Sequence, residues 1–214
     1  MNTDTTDTTD TTGDQEISDL LAIGAGPTAE VMGLLHRRLE ESAQQAGILD
    51  IAYTTMETPV GTLLLAATEK GLLRVAFESE GLDKVLDTLG MKISARILKA
   101  PRRLDAAAFE INEYFDKKRK SFDLSLDLSL SSGFRQLVQK HLPQIGYGMT
   151  ETYKQVATIV GNPNAVRAVG TACATNPLPI VVPCHRVLRT DGTLGGYIGG
   201  LAAKTALLEM EAAA

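Results

Sequence analysis

The sequence predicts an α+β N-terminal domain followed by a mostly helical C-terminal domain with a helix-turn-helix and a cysteine motif. Three observations predict it. Residues 51–77 alternate short apolar runs with turns at Pro59-Val60-Gly61 and Lys70-Gly71, as antiparallel strands do. Residues 134–175 hold short helical patterns instead, the last two hinged at Gly161-Asn162-Pro163-Asn164. The run Ile180-Val181-Val182-Pro183-Cys184-His185-Arg186-Val187 then brings one thiol and one imidazole side by side.

Taken in order, residues 2–14 repeat Thr and Asp and cannot bury a core, so they are expected to be disordered. Residues 28–46 form an amphipathic helix with Val31, Met32, Leu35 and Leu39 on one face. Residues 1–48 are thus an extension. Residues 49–130 form the small α+β domain, with a hairpin at 51–68, a strand at 72–77 and helices at 80–90 and 103–118. Phe109, Ile111, Tyr114 and Phe115 supply apolar contacts on the second helix. Phe122–Leu130 alternates with period two and reads as a half-buried strand. No catalytic constellation is visible in this half.

Residues 131–214 form the second domain. Phe134–Leu142 is helical and ends before Pro143. Thr152–Val160 and Ala165–Thr175 are the helix pair, with Asn164 as N-cap. Ile180–Val182 reads as a buried strand carrying the cysteine to its end. Asp191-Gly192 is a turn, and Leu201–Glu211 is the last helix.

Composition excludes several classes. The chain has 214 residues, 44% of them hydrophobic, enough for one sizeable or two small domains. Its two cysteines, Cys173 and Cys184, make a disulfide framework unexpected. No apolar run approaches a membrane span, and the N-terminus has neither a basic nor an apolar signal region. A cytoplasmic protein with no membrane partner is expected. His36, His141 and His185 are scattered, so neither a metal site nor a cofactor is expected. The net charge is −5, but residues 131–214 hold seven Lys/Arg against four Asp/Glu. That half is net +3 and the remainder −8, which permits a polyanionic partner for the second half.

A lone cysteine behind an apolar run is an ordinary core residue. An adjacent histidine makes it a candidate nucleophile, because a base raises the thiolate fraction. On extended chain the two side chains point to opposite sides, so a bridging water is the natural proton path. A carboxylate should orient the imidazole, and Glu209 or Glu211 on the last helix could supply it. Cys173 reads as a packing residue. The second helix of the pair is lined by Ala168, Gly170 and Thr171, with Arg167 near its start. It has few groups to read base edges, and its small residues permit close approach to the narrow minor groove.

With Asn162-Pro163-Asn164-Ala165-Val166-Arg167-Ala168-Val169-Gly170, Asn176-Pro177-Leu178-Pro179, Pro183-Cys184-His185-Arg186-Val187, Gly195-Gly196-Tyr197-Ile198-Gly199-Gly200-Leu201 and Lys204, the chain resembles the O6-alkylguanine-DNA alkyltransferase family. The resemblance covers about residues 134–211; over 51–130 it extends to element order only. It implies direct-reversal DNA repair: a suicide methyltransferase moves the alkyl group of a flipped O6-alkylguanine to Cys184, with O4-alkylthymine as a second substrate. It implies His185 as the base acting through water, Glu211 as its orienting carboxylate and Asn176 as a hinge. Arg167 would fill the vacated stack, with Ala168, Gly170 and Thr171 against the DNA. Tyr153 would donate to guanine N3, Tyr197 would line the pocket, and the carbonyls of Cys184 and Val187 and the Ile198 N–H would meet the base. It implies a monomer that binds double-stranded DNA through the minor groove.

There are departures. Gly146 stands where the family usually has Pro, Gln139 where Trp is common, and Ile198 where some members have a small or polar residue. Zinc ligands found in some members have no counterpart. Three rivals fit less well. A lesion-flagging protein would lack the cysteine, a cysteine hydrolase leaves the helix-turn-helix unexplained, and a regulator would need a longer extension than residues 1–48.

Overall fold

The structure, a computed structural model, describes residues 28–212. The Thr/Asp tract lies outside them. The chain divides into two compact units, residues 1–48 and 49–214. In the first, α1 spans Ala29–Gln45. Met32 and Leu39 are more than half exposed, so the apolar face expected there is interrupted.

The second unit begins with a four-stranded sheet, β1 (Ile51–Met56), β2 (Leu63–Thr68), β3 (Gly71–Phe77) and β4 (Ile97–Lys99). The strand order is β3-β2-β1-β4, antiparallel except for the parallel β1–β4 pair. β2 is central, and Leu63, Leu64, Leu65 and Ala66 are all fully buried, so both its faces are covered. Helix α2 (Leu82–Lys92) lays Val85 and Leu89 against Ile51, Leu64, Ala66, Leu73 and Ala76. Helix α3 (Asp105–Phe115) buries Ala107, Ile111 and Tyr114. Phe109, expected to be an apolar contact, points out and is 62% exposed.

The open edge of β3 is closed by two later segments. The Leu72 N–H donates to the Ser125 carbonyl (2.8 Å) and the Val75 N–H to the Pro177 carbonyl (2.9 Å). An unpaired edge is a liability that such cover removes. Phe122, Leu124, Leu126, Leu128 and Leu130 are half-buried as expected, with Asp127 buried among them, but the segment is not a strand. It bridges the sheet at one position only, Leu72 with Leu126. Beyond that position, Asp127 accepts from the Ser129 N–H nearby and from the Thr68 hydroxyl at the end of β2.

The remaining helices are α4 (Gly133–His141), α5 (Tyr153–Ile159), α6 (Val166–Ala174) and α7 (Gly200–Ala212). α6 packs on α4 and α5. α5 is capped by Thr152, whose hydroxyl accepts from the Gln155 N–H while the Gln155 side chain reaches back. α6 begins after Ala165, which makes no side-chain cap. Asn164 is therefore not its N-cap; Asn162 instead closes the preceding turn, accepting from the Ala165 N–H. Two short strands, β5 (Glu151–Thr152) and β6 (Val187–Leu188), pair in parallel. They tie the start of α5 to the segment that follows the cysteine.

Ile180–Val182 is deeply buried but is a series of turns rather than a strand. Pro177, Pro179 and Pro183 remove three backbone donors, and Ile180 adopts φ 75°. Its hydrogen bonds are local or go to one side chain: Val182 N–H to Leu178 carbonyl, Cys184 N–H to Val182 carbonyl, Asn176 Nδ2 to Val182 carbonyl.

At Gly71 backbone conformation and close approach coincide. It has φ 135°, and a Cβ there would collide with the Ser125 carbonyl. Gly71→Ala is expected to lower unfolding free energy by roughly 2–4 kcal/mol, combining backbone strain with overpacking. Urea denaturation checks this; an unchanged midpoint would show that residues 122–130 do not hold the sheet edge.

Candidate active site

Cys184, His185 and Arg186 form a single 3-10 turn. The chain is not extended there, so the expectation that neighbouring side chains face opposite ways does not apply. Cys184 is 2% exposed and His185 fully buried. Asn176 is also fully buried and ties the turn together. Its Nδ2 donates to the Val182 carbonyl (2.7 Å) and to Cys184 Sγ (3.2 Å), and its Oδ1 accepts from the Leu178 N–H (3.1 Å). The Asn176 carbonyl accepts from Arg74 Nη1 of β3 (3.3 Å).

Glu211, near the end of α7, is the inward carboxylate; Glu209 is exposed. Glu211 Oε1 lies 2.9 Å from His185 Nε2. The Arg186 guanidinium forks onto the same carboxylate, Nε to Oε2 at 3.0 Å and Nη2 to Oε1 at 2.8 Å. The Tyr114 hydroxyl donates to Oε1 (2.7 Å) and the Gly148 N–H to Oε2 (3.2 Å). Arg186 Nη1 donates to the Ile145 carbonyl (2.6 Å). Arg186 is close to the thiol in sequence, but its charge is paired with Glu211 rather than free to favour a thiolate.

Tyr114 is the residue that sequence reasoning missed. It sits on α3, in the half read as having no catalytic constellation, 97 positions before its partner. Its only sequence signal is an apolar helix face, which does not separate a buried hydroxyl from ordinary core. Its ring also meets Tyr147 edge-on at 6.0 Å. Lys204 enters the sequence reading only through the resemblance. It is fully buried, and its Nζ donates to the Val187 carbonyl (2.7 Å).

Burial sets the electrostatics. It pushes the Cys184 thiol up to about 11, against the Asn176 hydrogen bond and the positive charge of Lys204. Burial also depresses His185 below its ordinary range, although Glu211 opposes it. For Glu211, burial works upward, but hydrogen bonds from His185, Arg186 and Tyr114 hold it at about 2. His185 is therefore neutral beside a carboxylate. The proton sits on Nε2, facing Glu211, and Nδ1 carries the lone pair. Among the described residues Nδ1 has no protein partner. The imidazole is thus held in the form that can accept a proton.

Tyr153, the first residue of α5, is packed against Gly195, where a Cβ would run into its ring. Burial, with smaller contributions from Cys173 and Cys184, pushes its hydroxyl up to about 12, so it stays a donor at neutral pH. Tyr197 meets Phe77 edge-on at 5.7 Å and His185 at 6.2 Å. Val187 is buried directly after the turn, and Ile198 is half-buried, lining a groove with Thr175 and Pro177. On α6, Val169, Ala172 and Cys173 are buried. Arg167 and Thr171 face outward and are exposed, with Ala168 and Gly170 half-buried. These α6 residues form a separate surface from the buried cluster. Among the described residues no group of three or more His, Cys, Asp or Glu could hold a metal ion. No helix among them is long and apolar enough to cross a membrane.

Known proteins are similar to this chain in sequence and in fold. Residues 51–128 match the 6-O-methylguanine DNA methyltransferase ribonuclease-like domain, and residues 133–213 the DNA binding domain of the same enzyme. A methylated-DNA–protein-cysteine methyltransferase of Methanosarcina barkeri is 40% identical over 74% of this chain and 96% of its own length. The human enzyme of that name is 34% identical, over 74% of this chain and 79% of its own length. The crystal structure of Mycobacterium tuberculosis O6-methylguanine methyltransferase superposes with TM-score 0.68 and 36% identity, over 76% of this chain and 93% of that one. A crystal structure of the Mycobacterium tuberculosis protein in complex with DNA gives TM-score 0.66 and 36% identity, with the same shares covered.

Stability should depend on pH in a defined direction. Folded His185 and Glu211 both bind fewer protons than when unfolded, so their contribution to stability is full above pH 6.5 and falls in acid. The imidazole contributes first, and the carboxylate from 4.5 down to about 2. Tyr114→Phe is expected to cost about 1.5–3 kcal/mol at neutral pH, as loss of a hydrogen bond to a charged group. It should also weaken the fall in stability below pH 4.5. Urea denaturation across pH checks both; a cost that is identical at every pH would contradict the role given to Tyr114.

Proposed function

The chain belongs to the 6-O-methylguanine DNA methyltransferase family of DNA-repair enzymes, and from that premise we propose that Cys184 takes the alkyl group of O6-alkylguanine from double-stranded DNA, once per chain. The observation that carries this reading is the turn itself: a thiol held by Asn176, beside an imidazole whose Nε2 is tied to Glu211 and whose Nδ1 is free. His185 Nδ1 takes the thiol proton through a water. The thiolate attacks the alkyl carbon, the S–C bond forms as the C–O6 bond breaks, and the electron pair stays on guanine. Tyr153 donates to guanine N3 as that charge develops, which stabilises the transition state. The thioether has no simple chemical exit, so each chain acts once.

The lesion lies inside a duplex and the thiol is buried, so the base has to leave the stack to reach it. Gly170 supports the assignment of α6 to the DNA. A Gly within a helix costs about 1 kcal/mol relative to Ala. A Cβ at Gly170 would meet nothing within 4 Å, so packing inside the protein does not require the glycine. Close approach of the minor groove to Ala168, Gly170 and Thr171 does. Arg167 then occupies the gap in the stack, Asn176 links α6 to the cysteine turn, Tyr197 lines the base pocket, and the Val187 carbonyl and the Ile198 N–H meet the base. Residues 49–130 serve as the supporting domain and 131–214 as the monomeric DNA-binding, alkyl-accepting domain, with residues 1–48 an extension.

Arg167→Ala is expected to slow repair in duplex DNA far more than reaction with free O6-benzylguanine, because the free base has no unstacking cost. Equal losses on both substrates would place Arg167 in the fold or the pocket instead. Tyr153→Phe should reduce the transfer rate at saturating DNA by roughly 5- to 150-fold, the equivalent of about 1–3 kcal/mol. Loss of DNA affinity with an unchanged rate would sink the Tyr153 assignment.

A further inference from the structure

A groove of about 570 Å³ runs from α2 to the end of α6. On one side stand Lys84, Thr88 and Lys92, one stripe of α2 at i, i+4 and i+8, together with Arg135 near the start of α4. Lys84, Lys92 and Arg135 are exposed, and among the described residues none has an ion-pair partner. The carboxylate in the groove, Glu80, is already committed to Arg74 and to the Phe77 N–H. The groove is therefore net positive, although two of these three cations belong to the half of the chain whose net charge is −8.

The other side of the groove is formed by Ala174, Thr175 and Ile198. Ala174 and Thr175 end α6 and are exposed. The positive stripe thus opens onto the helix assigned to DNA. Lys84 and Lys92 are eight residues apart, about 12 Å along the helix. A line of charge that long fits an extended polyanion better than one small phosphate. DNA supplies such a line, with a phosphate every ~3.4 Å of axis on each strand.

We propose that this groove holds the phosphate backbone of the duplex flanking the lesion, so that α2 is part of the DNA-binding surface. The proposal rests on the reading that α6 faces DNA. The N-terminal half then does more than support the site: it sets register and adds to the salt dependence of binding, without reading sequence.

The test is binding of undamaged duplex to the full chain at a series of salt concentrations. The triple variant Lys84→Gln/Lys92→Gln/Arg135→Gln should lower the slope of log affinity against log salt by about 2–3 units, near 0.9 for each phosphate that is no longer neutralised. Its rate with free O6-benzylguanine should not change. An unchanged slope overturns the proposal. Gly170→Glu is the second arm. If only the groove is wrong, Gly170→Glu weakens DNA binding and the triple variant does not. If the α6 reading is wrong, neither does. Should the triple variant react poorly with the free base, acetylation of the unaltered chain decides. Duplex DNA should protect Lys84 and Lys92 but not Lys70, and equal labelling with and without DNA overturns the proposal.

Discussion

One buried carboxylate holds the site together. Glu211 receives donors from four residues spread along the chain: the Tyr114 hydroxyl of α3, the Gly148 N–H, and the side chains of His185 and Arg186 in the cysteine turn. Burying a charge is costly unless it is paired and its lone pairs are satisfied. Here Arg186 neutralises it and the other donors complete it. A network of this kind works as a unit, since removal of one member leaves the others buried and unpaired. It also ties the last helix and the N-terminal domain to the cysteine turn.

The same burial creates a tension with reactivity. A thiol that is 2% exposed is pushed up to about 11, so the resting protein holds it protonated. That protects it, because oxidation and stray alkylation act on accessible thiolates. The site offers a neutral imidazole of fixed orientation rather than a low thiol pKa. Glu211 fixes the His185 tautomer, Asn176 binds the sulfur, and Lys204 adds positive charge. Tyr153, pushed up to about 12, remains a donor at neutral pH.

Much of this was legible in the sequence, for physical reasons. The hairpin and the helix pair have local signals: apolar alternation, Gly-containing turns and an Asn-Pro hinge. The choice between Glu209 and Glu211 was open because positions two apart on a helix face nearly opposite sides, and tertiary packing decided it. Residues 122–130 misled because alternating apolar residues need only a surface to lie on, not a ladder of strand hydrogen bonds. Ile180–Val182 misled because its apolar run is held in turns by Asn176 and the flanking prolines. Tyr114 and the Arg186–Glu211 fork were not legible. Both join residues far apart in sequence, and neither carries a local pattern.

Intact-mass analysis after incubation with a duplex bearing one O6-methylguanine tests the central claim most directly. The expected result is one methyl group per chain, mapped to Cys184, and a modified chain that repairs nothing further. Repair that leaves Cys184 unmodified, or repeated turnover by one chain, would contradict it.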